Sequence, residues 1–244
     1  MSSLQKTKGI VLKTTNYAES SVVVLVFTEQ FGLQSFIVNG VRKPKAKFPP
    51  SLFQHLNLLE MVIYHKTSGG LQRIQEVRNI PAYISSPFDV IKSSVLMFLN
   101  EVVYKCLKQE TQEPHLFSFV YNAIQFLDLH RGNVANFHLV FLVHFARFLG
   151  FYPVVNNATD NEYFDLKEAV FTNVRPTHSQ VVVQPYSGYI ARLLQLNFEH
   201  MEELRINSSD RKVLLHALID FYELHVDNFG KLKSFEVLEE VLGS

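Results

Sequence analysis

The alternation of apolar and polar residues predicts strands in the first third of the chain. Residues 33–39 alternate between two faces, and residues 21–28 are rich in valine. Similar segments cover residues 9–15, 53–65 and 71–80, and breaks that contain glycine, asparagine or serine separate them. β-Branched and aromatic residues at this spacing are typical of antiparallel strands. The pattern therefore predicts a small sheet or barrel of about five strands.

After Pro81 the pattern changes to the longer spacing of helices. Capping serines, early prolines and terminal glycines predict helices over residues 86–108, 114–130, 133–149 and 208–228, and a short one after Ser234. Residues 134–149 contain 12 apolar residues in 16, so this helix should be buried nearly all round. Residues 151–189 are more polar, and their prolines and valine run predict short strands and turns.

These elements predict an α+β protein of several domains. Residues 1–80 would form a five-stranded oligonucleotide-binding (OB-fold) barrel, because five strands with a cationic connection fit that fold. Residues 81–150 and 190–244 would form an α-helical bundle. Residues 151–189 would form a small β-rich subdomain inserted between its helices.

Composition places the chain among folded proteins without a membrane span. It has 244 residues, of which 47% are hydrophobic and 19% charged. No apolar run approaches the roughly 20 residues that a spanning helix needs. Cys106 is the only cysteine, so an intrachain disulfide is impossible and the reducing cytoplasm is the expected compartment.

Charge is divided unevenly along the chain. Residues 1–80 contain ten lysines and arginines against four acids, a net charge of +6, and residues 81–244 carry −6. The connection over residues 40–48 holds four cations, and its prolines exclude a helical ladder of salt bridges. A phosphate ligand is the leading interpretation, and two solvated surfaces of opposite sign are the alternative.

The candidate DNA-binding residues are the cations of this connection and others that extend from it. Phe48 beside them either stacks on a base or anchors the loop. Which of the outlying cations share a surface depends on the strand register. The candidates are Arg42, Lys43, Lys45, Lys47, Lys13, Lys66, Arg73 and Arg78.

Several segments resemble the RecO family of bacterial DNA repair and recombination mediator proteins. They are Gly9–Lys13, Tyr17–Ser20, Phe27–Gly32 and Gly40–Lys45, followed by weaker similarity in Phe145–Pro153 and Leu224–Leu238. The resemblance implies an OB-fold barrel followed by a helical bundle. It also implies binding of single- and double-stranded DNA, annealing of complementary strands and help in loading recombinase. The implied partners are RecR and the C-terminal tail of single-stranded-DNA-binding protein. No cofactor is implied, and the implied location is the bacterial cytoplasm, with the nucleoid.

The sequence departs from the family at one point. Many members carry four cysteines in a zinc ribbon after the motif at Phe145–Pro153, whereas residues 151–189 contain none. A tetrahedral thiolate site needs four such ligands, so we expect no structural zinc. Aromatic and aliphatic side chains should fill the space instead, namely Tyr163, Phe164, Phe171 and Val181–Val183.

Catalytic signatures are absent from the sequence. The chain has no dinucleotide fingerprint, phosphate-binding loop, nucleophile elbow or His-Glu-x-x-His motif, so we expect no enzyme. On the helix over 133–149, Asn136, His144 and Arg147 fall within an ~80° stripe. The stripe is either an internal polar contact or the border of a groove for an acidic partner peptide, in which His144 and Arg147 would bind the partner.

Two functions besides an enzyme therefore remain open. The first is a DNA-binding and annealing module of recombinational repair. The second is a non-enzymatic protein-interaction scaffold, whose basic loop binds an acidic partner. Binding to the phosphate backbone would weaken steeply with salt and carry no sequence information, which separates the two.

Overall fold

The computed structural model describes residues 2–66, 69–107, 112–154 and 162–243. Five strands come first: β1 (Ser2–Asn16), β2 (Val22–Thr28), β3 (Gly32–Val38), β4 (Leu58–Lys66) and β5 (Gln72–Asn79). Three helices follow: α1 (Val90–Cys106), α2 (Pro114–Leu129) and α3 (Phe137–Leu149). The rest consists of β6 (Tyr163–Asp165), β7 (Val170–Thr172), β8 (Val181–Val183), α4 (Tyr186–Leu193), α5 (Ser208–His225) and α6 (Phe235–Gly243).

The first five strands close into a barrel in the order β1-β2-β3-β5-β4, which confirms the predicted OB-fold barrel. All neighbouring pairs are antiparallel except β3 and β5, which are parallel. The two parallel strands pair only at Phe36–Gln72 and Ile37–Arg73. The alternation that predicted β3 is real, because Gln34, Phe36 and Val38 are buried and the residues between them are partly exposed.

β1 begins seven residues earlier than the sequence predicted and serves two neighbours. Its first half pairs with β4 and its second half with β2, so pairing holds the polar residues before Gly9 in the sheet. Gly9 lies at the changeover, opposite both Leu59 and Thr28. A Cβ there would lie 2.5 Å from Val26 and 2.7 Å from Met61, so only glycine fits this close approach.

The barrel encloses an apolar core. The β2 valines alternate inward, and the long β3–β4 connection contributes residues that cap the core. The buried members are Val11, Val22, Val24, Val26, Phe36, Val38, Val41, Phe53, Leu59, Met61 and Ile63. The expected strand over residues 53–65 was therefore wrong at its start, where Pro50–Phe53 is a 3-10 turn and β4 begins at Leu58.

The helices agree with the predicted set, apart from their ends and one addition. α1 begins at Val90, after a separate 3-10 turn at Ser86–Phe88, so the predicted helix start at residue 86 was wrong. The Asp89 carboxylate accepts the Lys92 N–H at 3.0 Å and caps the helix instead. α5 is likewise capped by Asn207, whose side chain accepts the Asp210 N–H at 2.8 Å. The short helix α4 was not predicted.

Lys92 is a buried lysine that the sequence did not single out. Its ammonium donates to the carbonyl of His130 at 2.6 Å, to that of Asp128 at 3.1 Å and to the hydroxyl of Ser85 at 2.7 Å. The two carbonyls lie at or just beyond the end of α2, where helix carbonyls lack intrahelical partners. The lysine therefore caps this helix end with a charge that the helix dipole favours.

The predicted strands within residues 151–189 form a three-stranded sheet in the order β7-β6-β8. Phe164, Phe171 and Val182 are buried, as expected, and the ring of Phe221 from α5 packs on Phe164 at 5.4 Å. The expectation that all the named side chains fill this core was wrong for Val183, which is 45% exposed. Val183 lies one residue from the buried Val182, so it points to the opposite side of the strand.

The described chain separates into two compact units. The first comprises Met1–Ile84 and Leu99–Gln125, and the second comprises Ser85–Phe98 and Phe126–Ser244. Our division into domains at residues 1–80, 81–150 with 190–244, and 151–189 stays a prediction. In the described part of the chain, no helix combines the length and apolarity needed to cross a membrane.

Candidate nucleic-acid interface

The basic loop is fixed at both of its ends. The guanidinium of Arg42 donates a hydrogen bond to the carbonyl of Ala18 in the β1–β2 turn, and its backbone N–H reaches the carbonyl of Ser20 at 3.4 Å. At the other end, the ammonium of Lys47 donates to the carbonyl of Gln75 on β5 at 2.8 Å. Hydrogen bonds therefore tie the loop to the β1–β2 turn at one end and to β5 at the other.

Between these anchors the loop folds into two successive turns. The N–H of Lys43 bonds to the carbonyl of Gly40 at 3.2 Å, and the N–H of Ala46 bonds to that of Lys43 at 3.1 Å. Gly40 has φ +70°, a conformation that glycine adopts without strain. Lys43 and Lys45 are both exposed, so their ammonium groups are available to a ligand in solution.

Apolar side chains hold the loop on the barrel. Val41 is buried in the core, and Phe48 packs against the same core while remaining partly exposed. The ammonium of Lys47 lies 4.9 Å from the centre of the Phe48 ring, a cation–π distance. Of the two roles considered for Phe48, the structure shows the loop anchor.

Two further cations lie on β5, which holds one anchor of the loop, and on its neighbour β4. Arg73 on β5 lies opposite Ile37 of β3 and Tyr64 of β4, two residues before the Gln75 that binds Lys47. Lys66 ends β4, and the buried side chain of Gln72 bonds both its N–H at 2.9 Å and its carbonyl at 3.2 Å. We call this set the loop surface: Arg42, Lys43, Lys45, Lys47, Lys66 and Arg73.

The register places Arg78 elsewhere. Lys8, Glu60 and Arg78 lie side by side on β1, β4 and β5. They line a cleft of about 510 Å³, which we call the cleft face, and the acids there equal the cations in number. Its charged residues are Lys6, Lys8, Arg78, Glu29, Glu60 and Glu76.

Lys13 is held by an aromatic side chain of its own unit. Its ammonium donates to the hydroxyl of Tyr104 on α1 at 3.0 Å and lies 4.9 Å from the centre of that ring. A phosphate that binds Lys13 would have to share it with Tyr104. The DNA-binding roles of Lys13 and Arg78 stay predictions, and neither belongs to the loop surface.

The excess positive charge of the barrel therefore lies mainly outside the cleft face. Within residues 2–66 and 69–80, six of the ten cations belong to the loop surface, and Glu19 directly follows Ala18, whose carbonyl accepts the hydrogen bond from Arg42. The cleft face is neutral, and Lys13 accounts for the remaining cation. Sequence alone could not give this division, because it depends on which residues face each other across strands.

The polar stripe on α3 makes mostly internal contacts. The Asn136 side chain donates to the carbonyl of Leu204 at 2.8 Å, and the His144 ring bonds the carbonyl of Leu196 at 2.6 Å. Arg147 differs from these two, because it is exposed and its guanidinium lies 5.9 Å from the ring of Tyr152. Of the two candidates for a partner peptide, Arg147 is the more accessible to one.

No constellation for metal binding is found among the residues that the structure describes. Within them, no three histidine, cysteine, aspartate or glutamate side chains form a group that could hold a metal ion. His178 and Asp165 form a pair at 3.1 Å in the small sheet, without a third ligand of these types.

Comparison with known proteins covers nearly the whole chain. Residues 1–83 match the family described as Recombination protein O N terminal, and residues 87–235 match Recombination protein O C terminal. The chain is 37% identical over 239 residues to the DNA repair protein RecO of Bacteroides fragilis, covering 98% of this chain and 99% of that protein. It is 36% identical to RecO of Phocaeicola vulgatus (98% and 99%). It is 34% identical to RecO of Flavobacterium psychrophilum (97% and 98%).

Proposed function

The chain belongs to the RecO family of DNA repair proteins, with a role in recombinational repair, and we propose that it binds single- and double-stranded DNA through the loop surface. In this proposal it also anneals complementary strands and assists the loading of recombinase. It acts in the bacterial cytoplasm, with the nucleoid, and performs no catalysis and uses no cofactor.

One observation carries the proposal: four cations lie in the loop of residues 40–48, which bonds to β5 two residues from Arg73, while the charges of the cleft face balance. Two of the four, Arg42 and Lys47, anchor the loop by backbone carbonyls, while Lys43 and Lys45 extend from its turns. A pre-formed cationic surface loses little conformational entropy when a strand binds. Cations that neutralise phosphates also release condensed counterions, which supplies the binding free energy.

Annealing needs no active-site residue on such a surface. The protein holds a strand by its backbone, shields the charge between two strands and leaves the base edges free to pair. Half-burial of Phe48 against the core supports backbone binding over stacking at this position. The arginines add bidentate contacts to phosphate oxygens, where the lysines act as point charges.

The proposed protein partners come from family membership. They are RecR and the C-terminal tail of single-stranded-DNA-binding protein. Exposed Arg147 supports a role for the α3 stripe in binding an acidic peptide, whereas the His144 ring already bonds the carbonyl of Leu196.

A salt titration separates DNA binding from the rival function, a scaffold whose loop binds an acidic protein. If all six cations contact single-stranded DNA, log K should fall with log [salt] with a slope of roughly −4, at about −0.7 for each phosphate. Fluorescence anisotropy with labelled, mixed-sequence oligonucleotides measures this slope. Undetectable binding at low salt would reject the DNA-binding proposal and favour the scaffold.

A further inference from the structure

The second unit contains a groove between β8 and α5 that the proposed function does not use. Its volume is about 730 Å³. One wall is the strand Val181–Val183, and the other is a stripe of α5. Along that stripe Val213, Ala217, Asp220 and Leu224 recur at the three- and four-residue spacing of one helix face. We call this feature the β8 groove.

The outer edge of β8 has backbone groups available for hydrogen bonding. Among the described residues, β8 lies at the edge of the sheet and pairs only with β6. The N–H of Leu166 bonds the carbonyl of Gln180, so along this antiparallel pair the hydrogen bonds of Val182 also point to β6. Those of Val181 and Val183 therefore point away from β6. Of these groups, the N–H of Val181 donates to the carbonyl of Ser179 at 2.9 Å.

On this edge the backbone of Val181 and Val183 pairs with no other strand in the part of the chain that the structure describes. Natural proteins usually cover or charge such an edge, because it pairs readily with another chain.

The lining of the groove is apolar and acidic. Val183, Leu224 and Val213 are 45%, 43% and 38% exposed, which is unusually high for large aliphatic side chains clustered in one place. Asp220 and Glu223 supply the charge, and the lining residues that the structure describes include neither lysine nor arginine. Two titratable rings also line the groove: that of His216 lies 2.8 Å from the carboxylate of Glu239, and the hydroxyl of Tyr186 donates to the carboxylate of Asp210 at 3.2 Å.

We propose that the β8 groove binds an extended, basic segment of a partner protein, which adds to the sheet as a strand beside β8. The backbone of the segment bonds Val181 and Val183, and its alternate side chains follow the period of a strand. Every second side chain of the segment faces α5, where apolar ones cover Val213 and Leu224 and cations meet Asp220 and Glu223. The acidic lining excludes nucleic acid, because carboxylates repel phosphate.

Synthetic peptides test the proposal with the whole protein. A short peptide of repeated Lys-Lys-Val-Val, which places both residue types on each face of a strand, should bind saturably in an anisotropy titration when capped at both ends and labelled. The same peptide with glutamate in place of lysine should not bind. N-methylation of alternate residues on the bonding edge should weaken binding at least ~5-fold, because it removes hydrogen bonds worth about 1 kcal/mol each. Equal binding of the methylated and unmethylated peptides would overturn strand addition.

Matched variants locate the site. Asp220→Lys with Glu223→Lys should abolish binding, while Glu199→Lys with Glu240→Lys, which reverses two exposed acids outside the groove lining, should leave it unchanged. Val183→Pro removes one edge donor and should weaken binding more than Val183→Ala, which keeps it. Thermal melts verify folding of each variant. If both charge reversals weaken binding equally, attraction to the general acidity of the chain explains the result, and the groove proposal fails.

Discussion

Replacing Lys43 and Lys45 by glutamine is expected to weaken binding of mixed-sequence single-stranded DNA by roughly tenfold or more at low salt. The loss of two phosphate contacts should also make the salt slope less negative by about 1.4. Replacing Arg42 and Lys47 as well should raise the loss to roughly a hundredfold. Because phosphate contacts carry no sequence information, the loss should be the same for all sequences.

The double variant of Lys43 and Lys45 is the cleaner test of charge, because these two side chains do not anchor the loop. Lys43 and Lys45 are exposed, whereas Arg42 and Lys47 hold the loop to Ala18 and Gln75 by hydrogen bonds. Replacing Arg42 and Lys47 would therefore change the position of the loop as well as its charge. Thermal unfolding of the double variant should therefore match that of the wild type within ~0.5 kcal/mol.

A matched control comes from the cleft face. Lys6→Gln with Lys8→Gln removes the same net charge from the barrel, but at a place where Glu29, Glu60 and Glu76 already balance it. We expect this control to change affinity less than threefold. If the two double variants weaken binding equally, the net charge of the barrel drives binding and the loop surface has no special role.

Between pH 7 and pH 5, the free energy of unfolding of the wild type should fall by about 2 kcal/mol more than that of the His138→Leu variant. His138 is 0% exposed, and neither ring nitrogen has a hydrogen-bond partner in the described structure. Phe98 packs edge-on against its ring at 6.3 Å. Burial, together with the nearby guanidinium of Arg211, lowers the pKa of His138 from its ordinary 6.5 to about 3.

The sign follows from the two protonation states. The pKa is lower in the folded protein than in the unfolded chain, so the unfolded chain takes up a proton first as the pH falls. The contribution of His138 to the free energy of unfolding is complete above pH 6.5. It decreases as the pH falls toward about 3, the pKa of His138 in the folded protein. Leucine does not titrate, so His138→Leu should lose less stability than the wild type over this range.

Urea unfolding at pH 7 and pH 5 measures the difference. At pH 7 the variant should be as stable as the wild type or more so, because leucine removes two buried polar atoms that lack partners. His115→Leu, which changes an exposed histidine at the start of α2, controls for loss of a histidine elsewhere. Parallel stability curves for wild type and His138→Leu would show that His138 is not the titrating group.

The sequence pattern predicted the barrel, the helices and the cationic loop because each leaves a local signal. Alternation in β3, valines in β2 and the prolines within residues 40–50 act over a few residues. β1 was predicted too short because its first half leaves no such local signal. Its first half is polar, and its strand conformation comes from pairing with β4, which is distant in sequence.

The site was predictable only in part, for the same physical reason. The four loop cations are neighbours in sequence, but Arg73 and Lys66 join them through cross-strand pairing and the Gln72 side chain. Pairing also puts Arg78 beside Glu60, which no count of charges along the chain reveals. The α3 stripe was found by helical spacing, yet that spacing could not tell which of its members make internal hydrogen bonds.

Photocrosslinking of single-stranded DNA to the wild-type protein, with mass spectrometry of the crosslinked peptides, tests the central claim most directly. The account predicts that crosslinks concentrate on residues 40–48 and on the strand segments that carry Lys66 and Arg73. They should decrease in parallel when Lys43 and Lys45 are replaced. Crosslinks confined to the cleft face, around Lys8 and Arg78, or to the second unit would contradict the assignment of DNA binding to the loop surface.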